Sequence, residues 1–204
     1  MMRSEKIKKP DYKIIGISGT FGSGKDTLGH LLEDRYNYKF ISVTDSLREE
    51  AVNRNLQPNR LNLQTISAEW RRESGLGVLI DKALEQYEPY KSDHVGVAIA
   101  SLRNPGEVDE VHRLGGSVVW VDADPEIRYA RVQFSNRNRA AEDDKTFEEF
   151  VAEEQYEMSH AGDEATLNMG GVKDKADVAI FNNSTELDHF LRTIEGSLSN
   201  ILGK

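Results

Sequence analysis

The chain has 204 residues, of which 38% are hydrophobic and 30% are charged, a composition typical of one well-buried domain with small insertions. It has no cysteine, which excludes a disulfide framework and a thiolate metal site, and it has no apolar stretch long enough to span a bilayer. The formal net charge of −9 argues against nonspecific nucleic-acid binding. We therefore expect a cytoplasmic protein that works neither on membranes nor mainly on nucleic acids.

The first predicted element is a short apolar strand at residues 13–18, which leads into a glycine-rich loop. A helix follows, because apolar residues then recur at helical spacing up to Tyr36. Strand, glycine loop and helix are the context of a phosphate-binding loop, since the glycines let backbone N–H groups face phosphate oxygens and a lysine reaches the terminal phosphates. We expect a nucleoside triphosphate to bind to Gly19, Thr20, Phe21, Gly22, Ser23, Gly24, Lys25, Asp26 and Thr27.

The predicted magnesium ligands of this loop depart from the common pattern. The residue after the loop lysine is usually Ser or Thr, whose hydroxyl ligates Mg²⁺, but here Asp26 follows Lys25 and Thr27 comes next. The carboxylate of Asp26 could hold the metal directly or through water. Alternatively, Asp26 only favours the start of the helix electrostatically, while Thr27 faces the site.

Four further apolar segments predict strands at residues 38–43, 95–100, 117–121 and 178–181. They are short and separated by helical patterns, which favours parallel strands with crossover helices on both faces of the sheet. The predicted fold class is α/β, a three-layer, doubly wound fold with a five-stranded parallel sheet. Its ligands should lie beyond the carboxyl ends of the strands.

Two segments do not belong to the predicted sheet. Residues 46–90 contain only helical patterns, which indicate a helical acceptor-binding arm. Residues 131–171 are highly charged and indicate a lid, in which Thr146 and Glu149 form a capping box. An arm and a lid are typical of kinases, since transfer to a small acceptor must exclude water. The core of this single domain then comprises residues 11–45, 91–130 and 172–204.

The helix that Asp124-Pro125 opens carries Ile127 and Phe134 a helical repeat apart. It also begins a series of arginines that extends into the predicted lid. These arginines have enough acidic neighbours to be ordinary surface charge, and they are Arg128, Arg131, Arg137 and Arg139.

The run from Asp45 to Glu50 follows the second strand and resembles the segment of adenylate kinases and other nucleoside monophosphate kinases that grips the acceptor phosphate. By that resemblance Arg48 is an acceptor-phosphate ligand, and Arg103, after the third strand, is a second one. Two guanidiniums on one phosphate monoester make chemical sense, since each offers a fork of donors. The resemblance also places Asp45 near the transferred phosphoryl group and gives Arg131 a catalytic, phosphate-contacting role.

Nearly the whole chain resembles a largely archaeal group of P-loop proteins of the AAA type, related to dephospho-coenzyme A kinase and to phage-type deoxynucleoside monophosphate kinases. The segment at residues 176–183 resembles the turn beside the adenine of ATP in dephospho-coenzyme A kinases, which makes Asn182 a predicted ATP-binding residue. The resemblance implies ATP and Mg²⁺ as cofactors and a nucleotide-like small molecule as acceptor. The other matching pieces are the phosphate-binding loop and residues 45–50 and 103–108.

The end of the third strand departs from the pattern of these kinases. They carry a magnesium-holding aspartate at this point, whereas here the strand runs into Ala100 and Ser101. We expect transfer of the γ-phosphoryl group of Mg-ATP to a (deoxy)nucleoside monophosphate. Two alternatives stay open: transfer to the hydroxyl of dephospho-coenzyme A with Asp45 as base, and an ATP-dependent switch that orders the arm and lid for a partner protein.

Overall fold

The computed structural model describes residues 9–134, 145–184 and 186–202. The arginines at positions 137 and 139, which the sequence offers as lid residues, lie outside the described residues. Within the described part of the chain, no helix combines the length and apolarity needed to cross a bilayer.

The strands in the described residues form one parallel sheet in the order β2-β3-β1-β4-β5. The central strand β1 pairs with β3 on one side and β4 on the other, so that Ile17 lies opposite Ala100 and Val119. This arrangement confirms the predicted α/β, doubly wound fold. The strands are β1 (Lys13–Gly19), β2 (Tyr38–Ser42), β3 (Gly96–Ala100), β4 (Ser117–Asp122) and β5 (Val178–Phe181).

Helices connect the strands, and a short 3₁₀ helix at Glu88–Tyr90 precedes β3. The predicted arm, which contains no strand, consists of α2 to α4. The helices are α1 (Lys25–Tyr36), α2 (Val43–Asn53), α3 (Arg60–Ser74), α4 (Val78–Tyr87), α5 (Pro105–Arg113), α6 (Pro125–Phe134), α7 (Phe147–Met158), α8 (Met169–Lys175) and α9 (Leu187–Leu202).

The sheet separates two hydrophobic clusters, because successive side chains of a strand point to opposite faces. Ile15 and Ile17 of β1 pack with α1 and α9 on one face. Ile14 belongs to the other cluster, which contains side chains from α2 to α5 and from α8. The arm is therefore part of the packed core at its base rather than a separate domain.

Helix α6 differs from its predicted packing. Of Ile127 and Phe134, which lie a helical repeat apart, Phe134 is 89% exposed and does not pack inward. The buried residues of the helix are Arg128 and Val132. The interpretation of Arg128 as surface charge is thus wrong, because its guanidinium has polar partners inside the protein that the sequence does not reveal.

The loops that follow β1, β2, β3, β4 and β5 all lie at the carboxyl edge of the sheet, because the strands are parallel. The phosphate-binding loop follows β1 and opens α1, with Gly24 as its N-cap. The loop after β3 carries Arg103, and β2 runs directly into the arm helix that contains Asp45 and Arg48. The fold therefore places these predicted site residues at one edge of the sheet.

Candidate active site

The phosphate-binding loop needs glycine at two points for steric reasons. Gly19 has φ 148°, and a Cβ there would lie 2.0 Å from the carbonyl oxygen of Val121 on the neighbouring strand. Gly24 has φ 98°, and a Cβ there would lie 2.6 Å from Nδ2 of Asn182. No side chain caps the N-terminus of α1, which leaves its first N–H groups oriented for an anion. The loop therefore fits the phosphates that the sequence predicts for it.

Asp122, at the end of β4, anchors the phosphate-binding loop through hydrogen bonds. This role was not predicted from the sequence. Its Oδ1 accepts a hydrogen bond from the Thr20 hydroxyl at 2.7 Å, and its Oδ2 accepts one from the Trp120 indole at 3.2 Å. Burial alone would raise the pKa of Asp122, but these bonds, the Ala123 N–H and the charge of Lys173 together lower it. Asp122 is thus an ionised anchor of the loop. The signal for it in the sequence is a carboxylate that ends an otherwise apolar strand.

Asn182 and Arg131 border the nucleotide side of the loop. Asn182 donates from Nδ2 to the Ser23 carbonyl at 2.9 Å, and Nη2 of Arg131 donates to the Asn182 and Ser184 carbonyls at 2.8 and 2.7 Å. Burial lowers the pKa of Arg131 below its ordinary value. Within the described residues, its Nη1 and the Ser23 hydroxyl are buried without hydrogen-bond partners.

A pocket of about 270 Å³ lies between the loop and the start of α9. Its lining includes the side chains of Lys25, Thr27, Asn182, Arg131 and Phe190. A lining that combines apolar and polar groups suits a nucleobase and its sugar, next to the phosphates that the loop is predicted to hold. Arg131 lies in α6 beside this pocket rather than on a separate lid segment.

Arg128 connects the loop to helix α7. Only 2% of its side chain is exposed. Its guanidinium forms a bidentate ion pair with Glu154, and its Nε donates to the Ala123 carbonyl at 2.6 Å. Nη1 also reaches the carbonyl of Phe21 in the loop at 3.4 Å. Arg128 is therefore a structural link between helix α7 and the phosphate-binding loop.

An open cleft of about 1120 Å³ extends from the loop to the arm. The structure brings the predicted acceptor residues Arg48 and Arg103 to this cleft together with Lys25 and Asp26. Asp45 also lines it, where its carboxylate accepts a hydrogen bond from Arg48 Nη1 at 2.6 Å. The Asp45 side chain is 70% exposed, so it is accessible from the cleft.

Arg60, at the start of α3, also lines this cleft. Its place in the site was not predicted from the sequence. Its Nη2 lies 2.5 Å and its Nε 3.1 Å from Oε1 of Glu157 on α7. Nη1 of Arg103 donates to the same oxygen at 3.0 Å. Burial alone would raise the pKa of Glu157, but the charges of Arg103, Arg60 and Lys25 lower it. Arg60 follows Pro58 in a polar run, and only the folding of the arm over the loop brings it to the site.

A buried ion pair orients the segment that carries Arg103. Nε and Nη2 of Arg71 on α3 donate to Oε1 of Glu107 at 3.0 and 2.7 Å. Oε2 of Glu107 accepts the backbone N–H of Arg103 at 2.7 Å. Glu107 also completes the capping box of α5 with Asn104. The arm and the Arg103 loop are therefore held together through one carboxylate.

The end of β3 has no acidic side chain, as the sequence indicated. Ser101, the first residue after the strand, has φ 74°, a left-handed conformation that is uncommon outside glycine, and it borders the open cleft. Among the described residues, no group of three or more His, Asp or Glu side chains is arranged to hold a metal ion. Asp26 borders both the pocket beside α9 and the open cleft, and Thr27 borders that pocket.

Comparison with known proteins places this geometry in a family. A family model described as "AAA domain" matches residues 15–157, which is more than half of the chain. The UPF0200 protein PH1008 of Pyrococcus horikoshii is 28% identical over 193 residues, covering 93% of this chain and 97% of the relative.

Two solved structures share the fold. Shikimate kinase from Bacteroides thetaiotaomicron aligns with a TM-score of 0.59 at 15% identity, over 94% of this chain and 99% of that one. TT1252 from Thermus thermophilus aligns with a TM-score of 0.56 at 20% identity, with the same coverage of 94% and 99%. The chain belongs to the AAA domain family and has a P-loop kinase-like fold.

Proposed function

We propose that the protein is a Mg-ATP-dependent phosphotransferase that moves the γ-phosphoryl group to a nucleotide-like small molecule, in the first place a (deoxy)nucleoside monophosphate. The observation that carries this proposal is the cleft in which Arg48, Arg60 and Arg103 face the phosphate-binding loop and Lys25. Guanidinium groups on three separate elements suit an acceptor that itself carries a phosphate.

On the donor side, the loop N–H groups and Lys25 would bind the β- and γ-phosphates, and the pocket beside Asn182 would take the nucleoside. Arg131 lines this pocket, which supports a role for this arginine in contacting a phosphate. Its position on the nucleotide side makes it a residue that orients the donor and stabilises charge on it.

The residues present fit a magnesium ion at the loop, with the carboxylate of Asp26 as the preferred ligand and the Thr27 hydroxyl as the alternative, since both are hard oxygen donors. When bound, Mg²⁺ would neutralise the charge that develops on the phosphate oxygens. Asp26 is favoured because it borders both cavities between which the phosphoryl group would pass.

Helix α7 would exclude water from the reacting groups. Its Phe150 is buried, and the ring lies 6.0 Å from the ring of Phe21 in the loop. The link between Arg128 and Glu154 holds the helix in this position. Exclusion of water favours transfer to the acceptor over hydrolysis.

The catalytic role of Asp45 depends on the class of acceptor. A phosphate oxygen is already ionised and needs no strong base, whereas a hydroxyl, as in dephospho-coenzyme A, needs one. Asp45→Asn should leave turnover largely intact with a nucleoside monophosphate and reduce it strongly with a hydroxyl acceptor, and in both cases ATP binding should persist. A direct measurement of kcat with each acceptor distinguishes the two.

The primary test is ADP release from Mg-ATP with each ribo- and deoxynucleoside monophosphate, with dephospho-coenzyme A and without acceptor. We expect strong stimulation by one nucleoside monophosphate, its loss in Lys25→Ala, and mainly an increased KM in Arg48→Ala. Binding of ATP without stimulation by any acceptor would refute the proposal.

A second candidate function, a nucleotide-dependent switch, is favoured by one specific observation. β3 ends at Ala100 and Ser101 follows, so there is no carboxylate at the point where the kinases that the sequence resembles carry a metal-holding aspartate. Such a switch would bind ATP tightly, hydrolyse it slowly and order the arm and lid for a protein partner. The acceptor panel decides between the two functions, since a switch responds to none of the compounds.

A further inference from the structure

The carboxylate of Glu157 occupies an arginine-lined site next to the phosphate-binding loop. Two guanidiniums, from Arg60 on α3 and Arg103 after β3, both contact its Oε1, at distances from 2.5 to 3.1 Å. The side chain is 11% exposed and lines a small cavity together with Gly19 and Thr20 of the loop. The Glu157 carboxylate therefore lies between α3, the loop after β3 and the phosphate-binding loop, which surround the predicted transfer site.

The carboxylate of Glu157 does not by itself neutralise the positive charges around it. Arg60 and Arg103 both contact Glu157, which supplies a single negative charge. The neighbouring Glu153 also contacts Arg60, at 3.1 Å, but it is 43% exposed and shares its Oε2 with Lys145. A phosphate monoester near neutral pH carries about 1.5 to 2 negative charges and three acceptor oxygens, so it satisfies two guanidinium forks better than one carboxylate oxygen does.

Both arginines can be reached from the acceptor cleft. Arg60 and Arg103 line the large cleft as well as the small cavity that contains Glu157, and each side chain is 29% exposed. A ligand phosphate that enters along the arm would meet the same donors that now bind the carboxylate. Exchange of one anion for another preserves the hydrogen bonds of both guanidiniums, which keeps the cost of displacement low.

We propose that Arg60 and Arg103 together bind the phosphate monoester of the acceptor, and that Glu157 holds this site as an internal anion until the acceptor displaces it. The inference rests on the proposed function in that it names the acceptor-binding pair of the same cleft. It assigns the phosphate of the acceptor to the pair Arg60 and Arg103. It also makes Glu157 a competitor whose removal strengthens acceptor binding.

Titration calorimetry of the full chain with inorganic phosphate tests the site without turnover. Saturating ADP occupies the phosphate-binding loop in one series, and a second series omits ADP. We expect Glu157→Gln, which keeps the shape and removes the charge, to bind phosphate about tenfold more tightly than the original chain. Arg60→Gln should weaken phosphate binding about tenfold or more, whereas Arg60→Lys should retain part of it because it keeps the charge but loses the fork.

Glu148→Gln is the matched control, since Glu148 is an exposed glutamate on the same helix, and it should leave phosphate affinity unchanged. Thermal denaturation of each variant verifies the fold. Equal phosphate affinity in the Glu157→Gln and original chains, or no binding in either, would overturn the proposal.

Parallel titrations with nucleoside monophosphates and the matching nucleosides identify the ligand class. The proposal requires that Glu157→Gln improve binding of the monophosphates only. These results are independent of catalysis: a chain with no kinase activity can still show the exchange, and an active kinase whose acceptor KM is unchanged by Glu157→Gln would refute this inference alone.

Discussion

Replacement of Arg71 by methionine should destabilise the protein strongly, because it leaves the carboxylate of Glu107 buried without its counter-ion. The two side chains are 1% and 0% exposed. Methionine keeps most of the apolar volume of the arginine side chain, so the change removes charge rather than creating a large cavity.

The magnitude follows from the partners that Glu107 retains. Removal of one member of a buried ion pair costs roughly 3–5 kcal/mol in general. Glu107 would still accept the backbone N–H groups of Arg103 and Asn104, at 2.7 and 3.2 Å. We therefore expect Arg71→Met to lower the free energy of unfolding by about 3 kcal/mol, the lower end of this range. For a chain of this length, that corresponds to a melting temperature lowered by about 6–12 °C.

The neighbouring Arg72 provides a control on the same helix. It forms an ion pair with Asp163, but the two side chains are 49% and 51% exposed. Water and salt screen such a pair, so Arg72→Met should change stability little. Urea denaturation of both variants, followed by tryptophan fluorescence, measures the difference directly.

The double variant Arg71→Met with Glu107→Gln tests whether the unpaired charge of Glu107 causes the loss of stability. Glutamine removes the stranded charge and retains an oxygen for the backbone N–H groups, so the double variant should be more stable than Arg71→Met alone. Equal losses in Arg71→Met and Arg72→Met, or no relief from Glu107→Gln, would refute the assignment of this stability to the buried pair.

Further predictions concern the loop and the lid. Thr20→Val removes the hydrogen bond to Asp122, so it should destabilise the chain by about 1–3 kcal/mol and weaken ATP binding, measurable by denaturation and calorimetry. Gly24→Ala should abolish ATP binding, since the added Cβ meets Asn182 and φ 98° is strained; unchanged ATP affinity would contradict this. Glu157 has a lowered folded pKa, so its stabilising contribution is complete above the ordinary value of 4.5 and is lost as the pH falls below it. Glu157→Gln should therefore flatten the decline of melting temperature between about pH 5 and pH 3, and an unchanged decline would contradict this.

The fold was predictable because its signals are local and repeated. Short apolar strands separated by helical patterns leave few topologies. The structure confirms the five predicted strands and their parallel sheet, with strand ends shifted by about one residue. The capping box at Thr146 and Glu149 is present as predicted. The packing of α6 was mispredicted, since the sequence does not show that Arg128 has buried partners in Glu154 and Ala123.

The site was predictable only in part. The phosphate-binding loop could be identified from its glycines, Lys25 and flanking elements, because these signals lie together in one short stretch of the chain. Asp122 has a local signal at the end of an apolar strand, but its role appears only where β4 lies beside the loop. The roles assigned to Asp45, Arg48 and Arg131 stay predictions that the acceptor panel and the variants test.

The sequence by itself determined the phosphate-binding loop, the parallel α/β sheet and the edge at which its ligands bind, because these depend on backbone geometry and the period of apolar residues. The tertiary structure decided which distant charges meet. Arg60, Arg103 and Glu157 come from the arm, the loop after β3 and the lid helix, and no spacing in the chain relates them. The partners in ion pairs of this kind depend on how the hydrophobic core positions the helices, so the sequence shows the charges but not their partners.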